Sequence, residues 1–141
     1  MPAPPRVIEP AGILDAASGE KVREAIGEAL EEGERVIRVD MKGVTFMDMA
    51  DLYGSHPYVL KAVKDVPRDQ LTYLTKLWPR KEDWITPSGG AKREVTRFLK
   101  ELGTERIDVC LIHCMLNDQW PTEYERIRDE MSQLKDSGEI G

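Results

Sequence analysis

Cysteine is scarce: Cys110 and Cys114 are the two in 141 residues, and they stand four apart. That gives no disulfide framework, so both are expected as reduced thiols. No apolar run approaches the roughly 18 residues of a membrane span, and the opening Met1-Pro2-Ala3-Pro4-Pro5 is a stiff tail rather than a basic and apolar leader. A cytoplasmic setting is the expectation. Positive charge is short as well: 20 Lys and Arg against 26 Asp and Glu leave a net −6. An acidic chain gains nothing from counterion release, so neither nucleic acid nor an anionic membrane is expected as a partner. No Gly-x-Gly-x-x-Gly or P-loop pattern offers a phosphate cradle, and internal repeats and low-complexity tracts are absent.

What is there is ordinary for a globular chain, 40% hydrophobic and 33% charged. A domain of this length buries roughly 68–70% of its unfolded surface, so a core forms without staples. Residues 7–14 are short and apolar and contain Pro10, which predicts a strand with a bulged or bent start. Val22, Ala25, Ile26, Ala29 and Leu30 then fall at helical spacing, with Ser18 as N-cap and Gly33 as stop. A second strand is read at 36–40, and residues 44–48 fit either a strand or a loop. Ser55 can cap a helix that carries Pro57 in its first turn, turns Val59, Leu60 and Val63 inward and ends at Pro67.

Residues 71–75 make a third strand, followed by a long loop over 78–90 in which Trp78 and Trp84 are expected to pack partly against the sheet. Ala91, Val95, Phe98, Leu99 and Leu102 mark the next helix. Gly89-Gly90 before it, with Lys92 and Arg93 in its first turn, could receive an inorganic anion. Residues 107–112 read as a strand buried on both faces, and Trp120, Tyr124, Ile127, Met131 and Leu134 as a last helix. Strands alternating with helices predict an α/β fold: an open, mostly parallel four- to five-stranded sheet flanked by helices, flavodoxin-like, in strand order 2-1-3-4. Two unpaired edge strands would invite a homodimer.

Two stretches resemble known families. Gly12-Ile13-Leu14-Asp15-Ala16-Ala17-Ser18 and Val44-Thr45-Phe46-Met47-Asp48 look like the STAS family of anti-sigma-factor antagonists, over residues 6–48. The resemblance implies a protein-interaction module, here without the phosphorylation switch, because Met49-Ala50-Asp51 stands where that family carries its serine. Residues 44–141 resemble the aldo/keto reductases. Asp48 and Tyr53 lie in Asp48-Met49-Ala50-Asp51-Leu52-Tyr53-Gly54, Lys76 ends Leu74-Thr75-Lys76, and His113 ends Leu111-Ile112-His113. Carbonyl reduction needs a proton donor as hydride arrives, and an unperturbed phenol near 10 is a poor acid at neutral pH. A lysine beside it improves the donor, a carboxylate holds the lysine, and a histidine orients the carbonyl. By resemblance these are the roles of Tyr53, Lys76, Asp48 and His113.

The resemblances meet at 44–48 and together predict one chimeric domain, 1–141: an engineered join of a STAS-like segment (1–48) to aldo/keto-reductase-like βα units (49–141). The expected function is that of a fold-recombination scaffold with no evolved catalytic activity, not an enzyme. Asp48, Tyr53, Lys76 and His113 are then vestigial, since order 2-1-3-4 would part them by a strand width of about 4.8 Å, and a 1 Å error already costs about 100-fold. No cofactor is expected. No metal is expected either, because strand alternation sends Cys110 and Cys114 to one side and His113 to the other. The alternatives are an NADP-dependent carbonyl reductase remnant completed by self-association, and the STAS-like interaction module.

Overall fold

The computed structural model describes residues 6–34, 36–78, 89–115 and 118–141. The readings made for the 1–5 tail, for Trp84 and for the course of the loop over 79–88 fall on residues outside these. The backbone gathers into two units, one within Met1–Asp48 and Lys61–Thr72, the other within Met49–Leu60 and Tyr73–Gly141.

In the first unit Pro10 interrupts the opening strand as expected, leaving β1 (Arg6–Ile8) and β2 (Ala11–Leu14) on either side of it. The two halves take different partners. β1 pairs in parallel with β3 (Ile37–Val39), Arg6 facing Ile37. β2 pairs in parallel with β4 (Gly43–Asp48), Leu14 facing Met47, with a register shift between Gly12 and Ile13. This corrects the strand order 2-1-3-4, which had placed residues 7–14 between 36–40 and 71–75. The physical reason is β4, the segment whose sequence fitted strand or loop. It buries Val44 and Met47 and brings a full ladder to β2, while proline's missing N–H ends the pairing to β3.

The helix α1 (Ala16–Glu31) starts one turn earlier than its assigned cap. Asp15 is the N-cap: its carboxylate accepts from the Ser18 N–H at 2.9 Å, and the Asp15 N–H donates to Ser18 Oγ at 2.8 Å. That is a reciprocal capping box. Bonds from the Ser18 backbone and hydroxyl hold the Asp15 carboxyl below its ordinary value. A depressed carboxyl stabilises above its unfolded value and stops doing so as pH falls through its folded one. Asp15→Ala is therefore expected to lower the thermal midpoint at pH 7 and to converge with the parent chain in strong acid, as scanning calorimetry at the two pH values would record. Ala29 on this helix is buried, whereas Leu30, expected inward, is exposed.

In the second unit the strand expected at 71–75 is β5 (Thr72–Leu77), which carries Lys76 inside the strand rather than beyond it. It pairs in parallel with β6 (Val109–Ile112), Lys76 facing Leu111, and the His113 N–H donates to Leu77 O at 2.9 Å, one step past the ladder. Tyr73, Thr75 and Leu77 are buried, while Leu74 and Lys76 alternate with them on the other face. On β6 Cys110 is buried but Leu111 is 44% exposed, so the reading of a strand buried on both faces is corrected.

α2 (His56–Ala62) precedes β5. Its first carbonyl partner is Ser55 O, which accepts from Tyr58 and Val59. The Ser55 hydroxyl, expected as the cap, makes no hydrogen bond among the described residues. α3 (Ala91–Leu102) buries Ala91, Val95, Phe98 and Leu102 and ends at Gly103 as expected. The last helix is two pieces, α4 (Trp120–Glu123) and α5 (Glu125–Asp136), broken at Tyr124; α5 buries Ile127 and Leu134. The α/β class with parallel strands flanked by helices stands, and no helix among the described residues is long and apolar enough to cross a membrane.

Candidate active site

Tyr53 closes a single 3-10 turn, Asp51–Tyr53, that follows directly on the Met49 N–H donating to Leu74 O at 2.8 Å. The turn is shut by the Tyr53 N–H on Ala50 O at 3.0 Å and ends at Gly54, whose φ of 61° glycine adopts without strain. Tyr53 is 59% exposed, so its ring is reachable. The Lys76 ammonium lies 5.9 Å from the centroid of that ring and donates to Met49 O at 3.1 Å. The His113 ring meets the Tyr53 ring edge-on at 6.2 Å and the Trp78 ring edge-on at 5.3 Å.

Tyr53, Lys76 and His113 thus come together, although they were expected to stand apart. The cause is local geometry. Lys76 and His113 sit at the carboxyl ends of two hydrogen-bonded neighbours, β5 and β6, and the Met49–Leu74 bond ties the root of the Tyr53 turn to the same strand. Asp48 ends β4 and belongs to the first unit. His113 Nδ1 is buried and has no hydrogen-bond partner among the described residues. Phenol, ammonium, imidazole and indole together suit a neutral polar group such as a carbonyl.

A polar group lies behind the turn that no sequence reading found. His56 is 2% exposed; its Nδ1 lies 3.0 Å from Glu101 Oε2 and its Nε2 2.8 Å from Thr75 Oγ1. A carboxylate only accepts, so Nδ1 carries the hydrogen. The Arg97 guanidinium reaches Glu101 Oε1 at 2.8 Å, Asp51 Oδ1 at 2.6 Å and Glu94 Oε2 at 2.5 Å. Burial disfavours the Arg97 charge, but the carboxylates outweigh it and raise its pKa. Burial likewise pushes Glu101 up, and hydrogen bonds from Arg97 and His56 outweigh that and bring it down. The one available signal was spacing: Glu94, Arg97 and Glu101 lie three and four apart on one helix face.

The anion site considered at the start of α3 is already filled. Gly90 supplies no side-chain cap. Glu130 of α5 does so instead, accepting from the Lys92 N–H at 3.2 Å while held by Arg126 Nε at 2.8 Å. Gly90 has φ 124°, and a Cβ on it would collide with Glu130 Oε2. Gly90→Ala is therefore expected to cost about 2–4 kcal/mol, backbone strain and a lost cap together, read as a shift in the urea midpoint. Cys110 is inert at neutral pH, its thiol pushed up to about 12 by burial.

Comparison with known proteins bears on the whole chain. Residues 20–141 match the model of the aldo/keto reductase family. The ribosomal protein uS12 methylthiotransferase RimO of Actinobacillus pleuropneumoniae is 31% identical over 94% of this chain and 31% of its own length. An aldo/keto reductase from Brucella melitensis is 25% identical with a TM-score of 0.59, covering 94% of this chain and 46% of that one. An aldo-keto reductase from Klebsiella pneumoniae in complex with NADPH is 19% identical with a TM-score of 0.55, over 94% and 42%. The chain spans about a third of the length of the curated relatives it matches. One family model running unbroken across residues 44–48 overturns the reading of an engineered STAS chimera without function, and with it the reading that the chain is no kind of enzyme. The apparent seam is continuous sequence of one family: the chain belongs to the aldo/keto reductase family.

Proposed function

We propose that this chain carries the proton-donating half of a nicotinamide-dependent carbonyl reductase site. The observation that supports it is the convergence of Tyr53, Lys76 and His113 from three separated segments on one exposed phenol. Tyr53 is placed to give its proton to the oxygen of a carbonyl bound beside it. Lys76, held in place by Met49 O, puts a positive charge beside the ring and stabilises the phenolate left behind. His113 donates to the same carbonyl oxygen and fixes its direction, and Trp78 packs edge-on against that imidazole.

A reduced nicotinamide dinucleotide supplies the hydride when bound. The residues around Tyr53 fit the carbonyl side of the reaction and not the phosphates of such a cofactor. A pyrophosphate takes a nest of backbone N–H groups or several cations, whereas this group offers one ammonium already engaged with Met49 O. The helix start with Lys92 and Arg93 holds the carboxylate of Glu130.

The test is oxidation of NADPH by the purified chain in the presence of a reactive aldehyde, followed by loss of absorbance, with Tyr53→Phe alongside. The reading expects aldehyde-dependent turnover that Tyr53→Phe removes. Turnover unchanged by Tyr53→Phe, or none in the parent chain, refutes it.

A further inference from the structure

We propose that Arg97 and His56 are positioning residues that set the Tyr53 turn against Lys76, so that α3, which bears none of Asp48, Tyr53, Lys76 and His113, controls the geometry of proton donation. Residues 51–56 straddle β5 at its carboxyl end. Tyr53 stands over the face that presents Lys76, and His56 reaches the opposite face through Thr75. Those two strand residues are adjacent, so a tie to Thr75 fixes one end of the segment relative to Lys76. The other end is fixed by Asp51, two residues before Tyr53, whose carboxylate Arg97 holds at 2.6 Å. Glu101 joins the two anchors: it accepts from Arg97 at 2.8 Å and from His56 at 3.0 Å.

These anchors are buried while the residue they position is not. Thr75 is 0%, His56 2% and Asp51 8% exposed, against 59% for Tyr53. A ring so exposed has few packing contacts of its own to hold it, and its place is inherited from the two ends of its turn. The Asp51 and Glu94 carboxylates are buried, a buried charge is costly to unpair, and Arg97 donates charge-assisted hydrogen bonds to both and to Glu101. Arginine is required because its planar fork serves several carboxylates at once, which an ammonium cannot do from one point.

The proposal rests on Tyr53 as the proton donor, and two readouts separate its failure from a failure of that reading. The chain is labelled with 3-fluorotyrosine, and the fluorine resonance of Tyr53 is assigned with Tyr53→Phe; buried Tyr73 serves as the internal reference for an intact core. Arg97→Met and the milder Asp51→Asn are compared with the parent. The expected result is a Tyr53 resonance that shifts or broadens in both variants while the Tyr73 resonance stays. In the aldehyde assay kcat falls about 10- to 100-fold, the scale of a misplacement near 1 Å, with KM nearly constant, and Arg97→Lys does not restore it. An unchanged Tyr53 resonance in Asp51→Asn, with Tyr73 intact, overturns the positioning role whether or not the parent chain turns over. A parent chain without turnover, but with the Tyr53 resonance displaced as expected, leaves the positioning role standing and removes the reductase reading alone.

Discussion

Replacing Tyr53 by phenylalanine is expected to lower aldehyde-dependent NADPH oxidation by about 100- to 10,000-fold, the range over which a placed proton donor contributes. The substitution removes one oxygen from a side chain that is 59% exposed, and changes of that kind away from buried features stay within about 0.5 kcal/mol. The unfolding midpoint should therefore not move, and the ring that faces Lys76 and His113 is retained. Lys76→Met separates the parts further. It keeps most of the length of the side chain on β5 and deletes the charge beside the phenol together with the bond to Met49 O. A similar loss of kcat, not compounded when both substitutions are combined, would place the two residues in one step, since groups that act as a unit are strongly non-additive. Losses that multiply in the double variant would instead assign them separate steps.

Phe98→Ala is expected to cost about 3–5 kcal/mol, the usual price of emptying a buried aromatic site. Phe98 on α3 is fully buried, its ring edge-on to that of His56 at 4.9 Å and 4.8 Å below the Arg97 guanidinium. The ring is thus the apolar floor of the polar group that links Asp51 to Thr75. Its loss leaves a cavity and takes support from two charged or polar side chains at once. Chemical unfolding followed by circular dichroism would read the loss as a lower midpoint. Phe98→Leu, which keeps most of the volume, should cost under about 1.5 kcal/mol. A cost for Phe98→Ala below 1 kcal/mol would show that α3 is not part of the core as described.

The elements of this chain were legible because each is set by local chemistry. Pro10 cannot donate to a ladder, and the opening strand breaks there. Gly33 and Gly103 stop α1 and α3 where apolar spacing ends, and Tyr73, Thr75 and Leu77 alternate toward the interior along β5. The candidate chemistry was legible for a similar reason: Tyr53, Lys76 and His113 are residue types that proton transfer to a carbonyl requires, in a pattern resembling one family. Pairing was not legible. Residues 44–48 fitted a strand or a loop, and taking them as β4 changes the partner of β2 and with it the strand order. From that choice followed the expectation that the site residues stood apart, whereas the expectation of no evolved activity came from reading two families into one chain.

Sequence by itself determined the α/β class, the helices α1 and α3 and the identity of the candidate reacting groups, because propensity, capping and residue chemistry act within a few positions along the chain. Tertiary structure alone decided which strands lie side by side, that Glu130 fills the start of α3, and that Arg97 holds Asp51. Those facts join residues 38 and 46 positions apart, and nothing in local sequence records which distant carboxylate a guanidinium or a helix end will meet once the backbone has closed around it.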